Sequence, residues 1–294
     1  MRWGIAGVCA AGLWILTLAK QAQQPASASV SWNRDYKPGE ILKYEMEGSN
    51  QGWKYQIQAT DRVKQDAAGS FYEEISWSDL HSNAPMTLSP SDLSFRQNLS
   101  LDGTGKYIGI PDLSKVQPML IGPITDTLTL YSDLLIAKKM KLEHVGQHAY
   151  FEHGKPNSWA DGQHVLLGED AIDFDLTLVD ANTETNTVTI LTRHVPPRHP
   201  QVKLPAAWMQ TPVSDTENNW VEVSRTGDKY TAQVGKETFD VRVILDTRDG
   251  KILSARLDNP VVAVSRECED AALARCGPSM PETIHREVTF RLLP

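Results

Sequence analysis

From Glu40 almost to the C-terminus, apolar and polar residues alternate with a period of two, and this pattern restricts the fold more than any other feature of the 294-residue chain. A strand turns successive side chains to opposite faces, so the alternation describes antiparallel strands with one dry and one wet face. Leu42, Tyr44 and Met46 alternate with Lys43, Glu45 and Glu47, and after the turn at residues 48–52 the pattern resumes with Trp53, Tyr55, Ile57 and Ala59. Residues 71–80 continue the meander, residues 93–101 add a strand, and the turn at 102–105 leads into residues 106–110.

The period then changes. Ile124, Leu128, Tyr131 and Leu135 recur at helical spacing, with Thr125 or Asp126 as N-cap and Lys138, Lys139 and Lys141 at the C-terminal end, where the helix dipole favours cations. One amphipathic helix over residues 126–140 is expected, its apolar stripe against the sheet. Pro118 and the pair Gly122-Pro123 mark the preceding segment as a short helix or turn.

Strands return at residues 148–153, 164–167, 172–178 and 187–195. A Pro-rich stretch at 196–212 follows, and the C-terminal third is strand again at 220–224, 229–234, 239–245 and 252–257, closing with a hairpin of 261–266 and 283–293. A sheet of about a dozen strands curls strongly or closes. The expected class is therefore mainly β: a large curved antiparallel sheet or half-barrel with one amphipathic helix packed on it. Residues 29–195 form the meander and helix, 196–212 the connection, and 213–294 the last strands, continuing the same sheet or forming a second domain.

Residues 1–28 have the three parts of a secretory signal: Met1-Arg2, an apolar stretch over 3–19, and a small, polar run ending in Ala26-Ser27-Ala28. Cleavage is expected after Ala28 or after Ala22, with a retained membrane anchor as the alternative. Removing this segment takes away Arg2 and Lys20 and no acid, leaving 27 bases against 37 acids, a net charge of −10. An acidic chain without a basic run excludes nucleic-acid binding. The segment also carries Cys9 and leaves Cys268 and Cys276, an even pair in an exported protein of the periplasm or exterior, where disulfides persist.

Catalytic and metal motifs were tested and set aside. His144, His148 and His153 suggest zinc, but Gly146 interrupts any helix there, and residues four apart on a strand lie about 13 Å from each other at roughly 3.3 Å per residue. Asp170, Asp173 and Asp175 suggest a carboxylate pair for acid and base work, but Asp173 and Asp175, which share a face, read as the solvated half of an alternating strand. Asp180, Asn182, Glu184 and Asn186 imitate a calcium loop without its glycine or its final Glu. No nucleophile elbow, phosphate loop or dinucleotide fingerprint is complete, so neither metal nor cofactor is expected. Trp159, within Asn157-Ser158-Trp159-Ala160-Asp161-Gly162-Gln163-His164, is an unusual loop residue; a lid of Trp159, Asp161 and His164 over a cavity follows if that loop covers the sheet.

The opening Tyr36-x-Pro38-Gly39-Glu40-x-Leu42-x-Tyr44, the single helix crossing a long meander, and the late Leu245-Asp246-x-x-x-Gly250-Lys251-Ile252 hairpin resemble exported bacterial proteins whose sheets are similar to the lipoprotein-carrier half-barrel. The resemblance is one of layout and covers most of residues 36–293. It implies a concave apolar face under a helix, able to hold an acyl chain or another apolar small molecule. The leading expectation is a noncatalytic envelope protein that binds or carries such a ligand, with Tyr44, Trp53, Leu128 and Leu135 lining the cavity. The alternatives are a structural module with a filled core that meets an envelope protein partner, and a hydrolase using His and Asp residues between 143 and 175. For the export reading, N-terminal sequencing of the protein from its producing cells is expected to begin at Ser29 or Gln23.

Overall fold

The computed structural model describes residues 29–83, 89–104, 106–109, 111–160 and 164–294; the candidate signal at 1–28 and Asp161 lie outside them. In β1 (Ile41–Asn50) the side chains of Leu42, Tyr44 and Met46 are buried and their neighbours are not, as alternation requires. β2 (Trp53–Gln65) and β3 (Phe71–Ser82) extend the meander. The strand expected at 93–101 shortens to β4 (Arg96–Leu99), and residues 106–109 form a turn and irregular chain instead of a strand.

Helix α1 (Pro118–Lys139) begins well before residue 126. Pro118 occupies the first turn, where its missing N–H would have had no partner, and the Gln117 side chain accepts the Met119 N–H at 2.6 Å. Pro123 follows early enough that only one helical bond is forfeited. Thr125 and Asp126, expected as caps, are inside the helix: Thr125 donates back to the Ile121 carbonyl at 2.9 Å, and Asp126 is buried.

The chain continues through β5 (His148–Phe151), β6 (Asn157–Trp159), β7 (Val165–Asp170), β8 (Asp173–Asn182) and β9 (Thr187–Val195). After the Pro-rich stretch come β10 (Trp220–Thr226), β11 (Lys229–Glu237), β12 (Phe239–Asp246), β13 (Ile252–Cys268) and β14 (Met280–Leu292). All the described strands form one antiparallel sheet, not closed into a barrel, running β4-β3-β2-β1-β14-β13 and then dividing.

The division lies on β13. Two strands expected at 252–257 and 261–266 are one, and Ala255, Leu257, Asn259, Val261 and Ala263 all point to the same buried face. Its first half pairs with β12, whose far side carries β9, β8 and β5; its second half pairs with β11, followed by β10, β7 and β6. Pro260 sits between the halves. Its carbonyl accepts the Thr238 N–H at 3.2 Å, so its edge faces the gap between β11 and β12, where the missing donor interrupts no ladder.

Helix α1 touches β4 near one end of the sheet and β9 and β12 beyond the fork, which requires the sheet to curve round it. Over β1–β3 the space beneath the helix is full: Tyr44, Met46, Ile57, Ile75, Leu120, Ile124, Leu130, Tyr131 and Phe290 are almost wholly buried, and the Tyr44 and Phe290 rings stack at 4.3 Å. Each such side chain contributes roughly 1.5–3 kcal/mol. The N-terminal arm closes this end, with the Trp32 indole donating to the Leu142 carbonyl at 2.8 Å and Arg34 bound to Glu73 at 3.0 Å and Glu40 at 2.7 Å. Glu73 in turn accepts the Tyr131 hydroxyl from the helix.

The Pro-rich stretch is a cover. Ala206 and Met209 pack on Val221, Val223, Ala232 and Val234, the face of β10 and β11 turned away from the helix, and Arg266 lies 4.6 Å above the Trp208 ring. At the far end of β13 the expected Cys268–Cys276 disulfide closes the connection to β14, whose residues 269–274 form bends and turns in place of a short helix. Replacing both cysteines by alanine is expected to lower stability by up to about 2.5 kcal/mol, the loop-closure entropy of so short a segment, read from urea melts.

Candidate functional site

Where the sheet divides, strand ends meet and leave backbone groups without a ladder. Two asparagines supply the missing partners. Asn219 donates to the Ala171 carbonyl at 3.0 Å and the Glu237 carbonyl at 3.3 Å, while its oxygen accepts the Glu237 N–H at 2.8 Å. Asn259 donates to the Thr238 carbonyl and to the Glu237 carboxylate, both at 2.9 Å. The branches thus stay open without orphaned backbone, which would cost as much as lost hydrogen bonds.

Between this fork and α1 lies a cavity of about 740 Å3. The helix contributes Ile121, Leu128, Leu135 and Ile136; the fork contributes Ile172, Phe174, Trp220, Phe239 and Val261; Phe151 and Trp159 stand at the side. Trp159 is half-buried on β6, and its indole lies across Gly168 of β7, where a Cβ would come within 2.2 Å of the ring. Glycine at 168 is what lets the ring lie there.

Of the residues expected to line a cavity, Leu128, Leu135 and Trp159 do. Tyr44 does not, because its ring is consumed by the stack on Phe290, and Trp53 stands 46% exposed beside the β1–β2 turn. His164 is exposed on the approach to β7 and away from the lining; its carbonyl accepts the Arg225 N–H at 2.7 Å. Asn157, Ser158 and Trp159, read as loop, form the short strand β6.

The cavity also holds charged groups that alternation did not single out. Asp133 on α1 is 1% exposed, and both its oxygens face His194 Nε2 at 2.9 and 3.0 Å. The imidazole is flanked edgewise by Phe174 at 4.8 Å and Phe239 at 5.0 Å. Burial works against its charge, but the Asp133 carboxylate, with Glu237 and Asp170 beyond, holds its pKa above the ordinary value. Burial raises Asp133 despite the imidazole. One heptad earlier on the same helical face, Asp126 pairs with Arg286 of β14, whose guanidinium is also 5.8 Å from the Phe239 ring.

The second pair is carboxylate on carboxylate. Asp170, at the end of β7, accepts the Asn157 amide at 2.8 Å, Glu237, at the end of β11, accepts that of Asn259, and both acids line the cavity. Burial and the neighbouring Asp170 push Glu237 up to about 8, and burial raises Asp170 also. Each acid thus makes ionisation of the other harder. The reading of Asp173 as solvated fails: it is buried, accepting the Tyr150 hydroxyl at 2.7 Å and the His153 N–H at 3.0 Å, while Asp170 faces the cavity. Asp175 stays on the outer face with His148 at 2.5 Å.

One group of metal-ligand type occurs among the described residues, Asp258, His285 and Glu287 on the outer faces of β13 and β14. Its members are engaged, His285 with Asp258 at 2.6 Å and Glu287 with Arg256 at 2.6 Å.

Because the native cavity binds protons that the unfolded chain releases, stability falls as pH rises through this region. The contribution of Glu237 is complete below its ordinary 4.5 and is lost as pH passes about 8; that of His194 is complete below 6.5 and is lost above its raised folded value. Urea midpoints are expected to be higher near pH 6 than near pH 8.5, and Glu237→Gln is expected to flatten the slope. No protein-family model matches the chain, and no curated protein matches it.

Proposed function

We propose that the chain is an exported, noncatalytic envelope protein that holds an apolar or amphiphilic small molecule between α1 and the sheet. The observation that carries this reading is the unequal filling of the space under one helix. Over β1–β3 the helix meets solid packing, whereas over the fork about 740 Å3 is left beneath it, mostly apolar and within the roughly 300–1,000 Å3 of small-molecule sites. Interiors normally close such spaces. Export is supported by the signal-like N-terminal sequence and by the disulfide, a bond that persists in oxidising compartments.

A hydrolase has one observation in its favour, the presence of Asp170 and Glu237 together in the cavity lining, since neighbouring carboxyl groups of unequal acidity can activate water. Of the residues between 143 and 175 it would use Asp170, with Glu237 from β11 of the same branch. Turnover of ester or glycoside substrates that Glu237→Gln abolishes would replace the carrier reading with this one.

For the carrier, a neutral fluorescent apolar probe is expected to bind in the micromolar range, about −8 kcal/mol. Leu135→Glu, on a half-buried position of the lining, is expected to weaken it about tenfold, with a circular dichroism melt to confirm that the variant folds. Mass spectrometry of small molecules extracted from protein purified from its native envelope then identifies the occupant. Absence of probe binding by a folded wild-type protein would leave the structural module as the better account.

A further inference from the structure

The charges around the cavity are not balanced, and the imbalance bears on the ligand. Arg286 is committed to Asp126, and His194 to Asp133. Asp170 and Glu237 have the amides of Asn157 and Asn259 but no ion-pair partner among the described residues. Glu222 adds a further carboxyl group to the lining, and His153 reaches it from an exposed position.

We propose that the cavity selects a ligand with a protonated amine at the head of an apolar body, the ammonium donating to the carboxyl groups of Asp170 and Glu237. This rests on the carrier reading and names its ligand class. A fatty-acid head would bring a further negative charge against the charge that the carboxyl pair already carries at neutral pH, and like charges in a largely apolar site repel strongly. An ammonium instead supplies the charge-assisted donors the pair lacks.

The aromatic walls point the same way by a separate route. Trp159, Trp220 and Phe239 line the cavity, and ring faces attract cations when water is excluded. Neither Trp is matched with a cation among the described residues, whereas Phe239 already has Arg286. The two acids stand at the ends of strands from one branch, β7 and β11, opposite the apolar helix residues Leu128 and Leu135, so head and chain of an amphiphile each meet matching surface.

The test is titration calorimetry of the whole protein at neutral pH with octylamine, 1-octanol and octanoate, three ligands that share one chain and differ in the head. Octylamine is expected to bind about tenfold or more tightly than octanol, the effect of one charge-assisted hydrogen bond in a desolvated site, and octanoate most weakly. The double variant Asp170→Asn/Glu237→Gln, which removes both carboxyl groups, is expected to abolish the difference between octylamine and octanol. Octanol or octanoate binding as tightly as octylamine, or a folded double variant that keeps the full preference, overturns the amine assignment and leaves the carrier reading standing. Failure of all three ligands together with the neutral probe removes the carrier reading and the assignment with it. Should the variant not fold, the comparison of the three ligands on the wild-type protein decides alone.

Discussion

A single strand edge cannot hydrogen-bond two partners at the same place, and everything around the cavity follows from how β13 meets that limit. It gives its first half to β12 and its second to β11, with Asn259 and Pro260 at the handover. Proline removes a donor where no acceptor stands, and asparagine supplies side-chain donors where two strand ends would otherwise lack them. The branches then diverge, and the space between them cannot be closed by the same side chains that fill the sheet over β1–β3. A cavity at this point is a consequence of topology before it is a property of any lining residue.

The helix that roofs this space is held by polar contacts on either side of an apolar middle. Tyr131 reaches the Arg34–Glu73 network over the filled half, while Asp126 and Asp133 reach Arg286 and His194 over the fork. Buried ion pairs return little net stability, because desolvation offsets most of their attraction. What they set is position: a helix on Leu and Ile alone could slide or rotate, whereas two carboxylates one heptad apart, each with its own cation on a different strand, fix its register against the sheet.

The sheet, the helix and the disulfide were legible in the sequence because each rests on a local signal: period two, period 3.6, and an even pair of cysteines. The fork was not, because Pro260 reads locally as an interruption, although Ala255, Leu257, Asn259, Val261 and Ala263 keep unbroken alternation across it. The early start of α1 was hidden likewise by Pro118 and Pro123, tolerated where they fall. The cavity charges were harder still. Asp133 and His194 are 61 residues apart, and Asp170 meets Glu237 in the lining only because β7 and β11 belong to the same branch of the sheet. One clue was available: Asp126 and Asp133 stand one heptad apart on the side of the helix that also carries Leu130 and Ala137, where an acid has to be matched by something.

Branching has one further effect. An unbranched open sheet has two outer edges, whereas this one ends in β4, β5 and β6 and so has three. Every exposed edge is a template on which another chain can add a strand, and length makes the template stronger. The three terminal strands are only four, four and three residues long, while the long strands β2, β13 and β14 are paired on both sides. The fold thus adds an outer edge while ending each of the three in a strand of three or four residues, too short by itself to template much pairing.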